Sequence, residues 1–131
     1  MSSEQQQLTP EQQLLACQQA IAAWQQAFNN QDAAGCAKQY HSNAVMEAKP
    51  FGRFEGRAAI EQFWQGIIDQ GFCDVDYTDV TWTKHETEGY LLTSKWTMNK
   101  AYGVVHREHW TLGEDGKARL ISDEFEVLGE R

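Results

Sequence analysis

The sequence predicts a single α+β domain, and three observations carry that expectation. Helical hydrophobic spacing dominates up to Gly71, strand alternation takes over after it, and no linker or internal repeat divides the two halves. A chain of 131 residues can enclose one substantial core, and an apolar fraction of 41% with five tryptophans suits a folded globule rather than a disordered chain.

Residues 1–8 read as a polar tail and residues 9–131 as the domain. Thr9-Pro10-Glu11-Gln12 supplies an N-cap, a proline at the first helical position and a capping-box glutamine. Leu14, Cys17, Ile21, Trp24 and Phe28 then recur at steps of three and four, the stripe of a long amphipathic helix ending near Asn29-Asn30. Asp32 can cap a shorter helix through Tyr40, which Gly35 weakens. Ala44 to Lys49 reads as a short strand, and Pro50 with Gly52 as a turn. Ile60, Phe63, Trp64, Ile67 and Ile68 give a third helix that stops at Gly71.

Strands follow. Val75 and Tyr77 share one parity while Val80 and Trp82 share the other, which predicts a bulge near Thr78-Asp79. Tyr90, Leu92, Trp96 and Met98 mark one face of the next strand. Turn-like Asn99-Lys100 and Glu114-Asp115-Gly116-Lys117 make the last three strands an antiparallel meander.

The informative anomaly lies in that meander. Side chains alternate across a strand, so Val104, His106, Glu108, Trp110 and Leu112 should share a face, and Ile121, Asp123, Phe125 and Val127 should share one on the next strand. A carboxylate on a core face is costly unless it is paired, hydrogen-bonded or protonated, so two of them suggest a pocket. If Glu114 to Lys117 form the turn, Gly113 pairs with Ala118, Glu108 with Asp123, Trp110 with Ile121 and His106 with Phe125. His106 is then diagonal to Asp123, at roughly 7 Å. Opposed carboxyls in low dielectric cannot both ionise cheaply, and one protonated and one ionised carboxyl beside an imidazole would serve as an acid/base set. A satisfied structural network inside the fold, or at a dimer interface, is the competing reading.

Composition excludes other classes. A formal net charge of −8 with scattered basic residues disfavours nucleic acid and anionic lipid as partners. No apolar run is long enough to span a bilayer, and the start lacks a secretory pattern, so a cytoplasmic location is the expectation. Cys17, Cys36 and Cys73 suit free thiols acting as small hydrophobes. His106 and His109 fall on opposite faces of a strand and cannot share an ion, so neither a metal nor an organic cofactor is expected. Arg107, His109 and Thr111 should lie on the outer sheet face, with His41 and His85 solvated in turns.

The element order resembles the nuclear transport factor 2-like superfamily, and within it the SnoaL-like group, relatives of ketosteroid isomerase and limonene epoxide hydrolase. The likeness rests on Trp24…Phe28-Asn29-Asn30-Gln31-Asp32, on Phe54-Glu55-Gly56-Arg57-Ala58-Ala59-Ile60, and on Gly116-Lys117…Asp123-Glu124-Phe125-Glu126, and runs from Pro10 onward. It implies a cystatin-like α+β roll: a cone of strongly curved antiparallel sheet closed by three helices, with a pocket inside and a homodimer formed through the outer sheet face. Superfamily members include isomerases, cyclases, hydrolases and non-catalytic proteins, so the fold alone decides little.

Residue by residue the carry-over is mixed. The helix-1 tyrosine of ketosteroid isomerase falls on Trp24, which offers an indole N–H but no phenol. Its protonated aspartate falls on Glu108, and its base on Ala48 (or Lys49 with a shifted gap), where Ala48 cannot take a proton. Against the epoxide hydrolases, Asp123 and Glu108 fall on carboxylate positions and His106 on the arginine. Against the polyketide cyclases, Asp123 is the candidate acid/base group.

The expectation is therefore a cone that binds a small, mostly apolar organic molecule, with acid/base chemistry of the isomerase, cyclase or hydratase kind as a secondary claim. Asp123 would be the base, Glu108 the proton donor or oxyanion partner, and His106 the orienting or shuttling group. Trp24 and Tyr40 would add polar handles, and Phe28, Met46, Phe63, Trp96, Trp110 and Phe125 apolar wall, although such residues, with Trp64 and Met98, also suit plain core. A non-catalytic dimeric binding module is the alternative.

Overall fold

The structure, a computed structural model, describes residues 9–113 and 115–131. The expected tail, residues 1–8, and Glu114 of the expected turn lie outside the described residues.

Helix α1 (Pro10–Asn29) starts on the capping box read from the sequence. Thr9 Oγ1 accepts from the Gln12 amide at 3.1 Å and Gln12 Oε1 accepts from the Thr9 amide at 2.9 Å, satisfying two otherwise orphaned donors. Its stripe buries Cys17, Ala20, Trp24 and Phe28. Asp32 caps α2 (Ala33–Lys38) by accepting from the Gly35 amide, and the helix ends before Tyr40 rather than running through it. Helix α3 (Arg57–Asp69) buries Ile60, Trp64, Ile67 and Ile68.

Six strands follow or interleave: β1 (Tyr40–Lys49), β2 (Gly52–Glu55), β3 (Asp76–Lys84), β4 (Tyr90–Thr97), β5 (Ala101–Leu112) and β6 (Ala118–Glu130). They form one curved sheet in the order β2-β1-β6-β5-β4-β3. Two details depart from the sequence reading. Strand β1 begins at Tyr40, not Ala44, and the expected Pro50 turn leads into a short strand, β2, that the sequence reading did not include. Also, β1 runs parallel to β6, so the sheet is antiparallel at every pairing but one. The bulge expected at Thr78-Asp79 is present: the β3–β4 register shifts between Thr78 and Thr81, with Asp79 at φ 53°.

Strand β5 carries the decisive irregularity. Val105 pairs with Phe125 while Arg107 pairs with Glu124, and on the other side Glu108 pairs with Leu92 while Val105 pairs with Ser94. Both ladders therefore place one extra residue in β5 at His106, so parity inverts there. Val105 and Glu108 face inward, whereas His106 is exposed and bonds to Glu126 at 2.8 Å on the outer side. The same hairpin holds a second shift, on β6 at Ile121, where His109 pairs with Ser122 but Trp110 with Leu120. Leu112, not Gly113, pairs with Ala118, so the turn starts one residue off the expected register and the Ile121 bulge restores it. Glu108 consequently does stand opposite Asp123, but Trp110 faces Leu120 and Val105 takes the place expected of His106.

Helix α1 packs on β5 and β6, and α3 on β1 and β2, so the core and the internal space lie between helices and sheet. On the far face His109 and Thr111 are buried rather than open, because the β3–β4 turn folds over them: the His85 ring stacks on His109 at 4.1 Å and the Glu88 carbonyl meets His109 Nε2 at 2.9 Å. His85 is accordingly not a free turn residue, while His41 is exposed on β1.

Gly103 marks a tight approach between neighbouring strands. A Cβ there would meet the Glu126 carbonyl at 2.0 Å and the Trp96 ring at 2.5 Å. Gly103→Ala should lower the urea unfolding free energy by about 2 kcal/mol or more, as overpacked sites do. A loss under about 0.5 kcal/mol would show that β5 and β6 do not close this far.

Candidate functional site

A cavity of about 30 Å³ lies between the helices and the inner sheet face. That is space for one or two water molecules, so an organic ligand enters only if wall side chains move. Both carboxyl groups line it: Glu108 from β5 and Asp123 from β6, at 6% and 3% exposure. Four of the five tryptophans, Trp24, Trp64, Trp96 and Trp110, line it as well, with Tyr40, Tyr77 and Phe125.

The polar atoms are connected from several elements. Tyr40, first residue of β1, donates its hydroxyl to Asp123 Oδ2 at 2.8 Å and accepts from Trp64 Nε1 of α3 at 3.3 Å. Trp110 Nε1 donates to Glu108 Oε1 at 2.8 Å, a bond between residues two apart on one strand face. Two fully buried wall atoms have no protein partner among the described residues: the indole Nε1 of Trp24 and Oδ1 of Asp123. The cavity thus presents a buried unengaged donor and a buried unengaged acceptor, and buried polar atoms in that state are uncommon.

Burial governs the ionisation of the pair. Asp123 is held up at about 7 by burial, with the Tyr40 hydrogen bond pulling down and the neighbouring Glu124 charge adding a little. Burial first, and the Asp123 charge second, push Glu108 well above the usual carboxylate range, against the opposing Trp110 bond. The two titrate as a unit, both held above the usual carboxylate range. Burial, then the charges of Asp123 and Glu108, also drive the Tyr40 phenol well above its ordinary value, so it remains a donor. Tyr77 is raised by burial and then by the same two carboxyls, which places its phenol in their field.

Of the candidate catalytic residues, Asp123 and Glu108 come together at the cavity and His106 does not. Its parity is inverted by the β5 bulge, and Glu126 engages its ring outside. Trp24, Tyr40, Trp96, Trp110 and Phe125 are on the cavity wall as candidates, whereas Phe28, Met46 and Phe63 belong to the packing behind it. Phe28 is stacked on Trp24, and Phe63 packs among Phe51, Phe54 and Trp64. Ala48 is fully buried opposite Phe125, so its position contributes no proton acceptor. Tyr77 was not singled out by sequence; its parity with Val75, also on the wall, was the signal. Among the described residues, no three His, Cys, Asp or Glu side chains gather closely enough to hold a metal ion, and no helix is long and apolar enough to cross a membrane.

The family model for the SnoaL-like domain matches residues 21–121. The chain belongs to the SnoaL-like family. No curated protein matches it significantly. Among solved structures, this SnoaL-like protein is similar to a candidate scytalone dehydratase from Novosphingobium aromaticivorans, at 12% identity and TM-score 0.77 over 94% of this chain and 91% of that one. It is also similar to a ketosteroid isomerase-like protein from Erwinia carotovora atroseptica, at 11% identity and TM-score 0.71 over 85% and 92%. A protein of unknown function with a cystatin-like fold from Nostoc punctiforme gives 15% identity and TM-score 0.73 over 86% and 89%. At such identities the likeness establishes the fold, and the SnoaL-like chemistry must be argued from the site.

The pair makes a stability prediction with a definite sign. Asp123 ionises at about 7 when folded against 3.8 as the unperturbed value, so its contribution is full below about pH 4 and is lost as pH rises through 7. Asp123→Asn should therefore flatten the fall in unfolding free energy between pH 4 and pH 7 and be the more stable protein at pH 8, by about 1 kcal/mol or more. Urea unfolding across that range checks it; a variant that tracks the parent at every pH would contradict it.

Proposed function

We propose that this SnoaL-like domain binds a small, mostly apolar organic molecule in its cone and moves a proton on it without a cofactor, as an isomerase, cyclase or hydratase does. The observation that carries the reading is Asp123: a buried carboxyl, ionising near neutrality, with one oxygen fixed by Tyr40 and the other unengaged at the cavity. Such a group suits a general base, whose best working range is close to the ambient pH. Glu108, still protonated opposite it, suits the proton donor or the partner of a developing oxyanion. Trp24 Nε1 can hold a ligand oxygen.

A second reading, a non-catalytic dimeric binding module, is favoured by the small free volume and by exposed Tyr102 and Leu128 on β5 and β6. Those side chains point away from the cavity, and a homodimer through the outer sheet face would cover them.

A thermal-shift screen of small apolar alcohols, ketones and amines tests binding, since a ligand at a hundred times its Kd stabilises by about 2.7 kcal/mol. A neutral hit that is also a substrate should lose turnover by about 10²-fold or more in Asp123→Asn while still binding. Turnover unchanged in that variant would sink the assignment of Asp123 as the base, whereas hits that bind and are never turned over would leave the binding module standing.

A further inference from the structure

Charge is distributed unevenly around the cone. Its wall holds two carboxyls and no Lys, Arg or His. Arg57 is used elsewhere: its Nε donates to the Tyr40 carbonyl at 2.7 Å from an exposed position off the cavity wall. Three of the wall indoles have their N–H groups tied to protein acceptors, Trp64 to Tyr40, Trp96 to the Val104 carbonyl and Trp110 to Glu108. What these rings can offer an occupant is carbon and π-density, the surface that attracts cations. Trp24 keeps a free N–H on the same wall, and Asp123 a free oxygen.

We propose that the cone selects a small organic cation, an ammonium group on a short apolar body, over neutral and anionic molecules of the same shape. The inference rests on the reading of the cone as a small-molecule site and holds whether or not the carboxyl pair then moves a proton. With Glu108 protonated and Asp123 ionised, the pair carries one negative charge, which one monovalent ammonium neutralises. A buried charge is tolerable only when so paired and hydrogen-bonded, and the free Asp123 oxygen supplies the acceptor. An anion would meet a like charge with no basic side chain on the wall to offset it. A net charge of −8 over the whole chain also favours the approach of cations. Trp24 Nε1 adds a preference for a neutral oxygen on the same ligand, as in an amino alcohol.

The test is a titration of the ¹⁵N-labelled full chain with propylammonium chloride, 1-propanol or sodium propionate, at matched ionic strength, read at the tryptophan indole signals. Propylammonium should move the Trp24, Trp64, Trp96 and Trp110 signals saturably and leave Trp82, which is off the wall, in place. Its affinity at pH 8 should exceed that of 1-propanol by about tenfold or more, and propionate should give no saturable shift. The amine stays charged well above this range, so its affinity should fall as pH drops from 8 to 5 only because the cone takes up protons. Facing Asp123 are Tyr40 from β1, Tyr77 from β3 and Glu108 from β5, with Glu124 beside it and Cys36 of α2 near Tyr77; below pH 8 the carboxyls alone among the cavity groups titrate. Asp123→Asn should abolish the preference, and the pH series on the unaltered chain decides the same point should that variant not fold. The proposal is overturned if 1-propanol or propionate binds as tightly as the amine, if lowering the pH leaves amine affinity unchanged, or if Asp123→Asn binds the amine equally well. Saturation by 1-propanol alone would remove the charge preference and keep the cone as an apolar site. No saturable shift from any of the three would remove both.

Discussion

Glu108 and Asp123 stand opposite each other on neighbouring strands, both almost sealed from water. Two carboxylates so placed repel and are poorly solvated, so the folded state keeps a proton between them and gives each charge-bearing oxygen a donor where it can. Tyr40 opens β1 at a point that brings its hydroxyl to Asp123, α3 sets Trp64 to hold that hydroxyl, and Trp110 caps Glu108 from two residues along the strand. The pairing also depends on the bulge at His106. Without the extra residue, strict alternation through inward Val105 would turn Arg107 inward and Glu108 out to solvent.

Much of this was legible in the sequence where a local rule decides the outcome. The capping box at Thr9, the Asp32 cap, the helical stripes and the Asp79 bulge are set by side chains acting on adjacent backbone. The acidic pair was legible because carboxylates on an otherwise apolar strand face need an explanation. His106 was misplaced because alternation was carried past a bulge, and nothing in Val104-Val105-His106-Arg107 marks one locally: it arises from the two neighbouring ladders. The Glu108–Asp123 match held through a turn offset and a bulge at Ile121 that cancel. Tyr40 read as a helix end because its strand is fixed by β6, a partner some eighty residues away that no local pattern reveals. Phe28, Met46 and Phe63 have the same composition as wall residues, and only packing separates them from the cavity.

Membership of the SnoaL-like family fixes the scaffold and leaves the chemistry to these few side chains. Ala48 is fully buried and carries no proton acceptor, and the carboxyls on the cavity wall are Glu108 and Asp123. The narrowness of the cavity adds a constraint of its own. A ligand must be small or must displace aromatic rings, so binding and side-chain rearrangement are linked.

In this arrangement one proton stays between the two buried carboxyls at neutral pH. A ¹³C NMR titration of the Asp123 and Glu108 carboxyl carbons measures this most directly. Asp123 should titrate near pH 7 and Glu108 should remain protonated there. Two carboxyls already ionised by pH 5 would contradict it, and with it the acid/base reading of the cone.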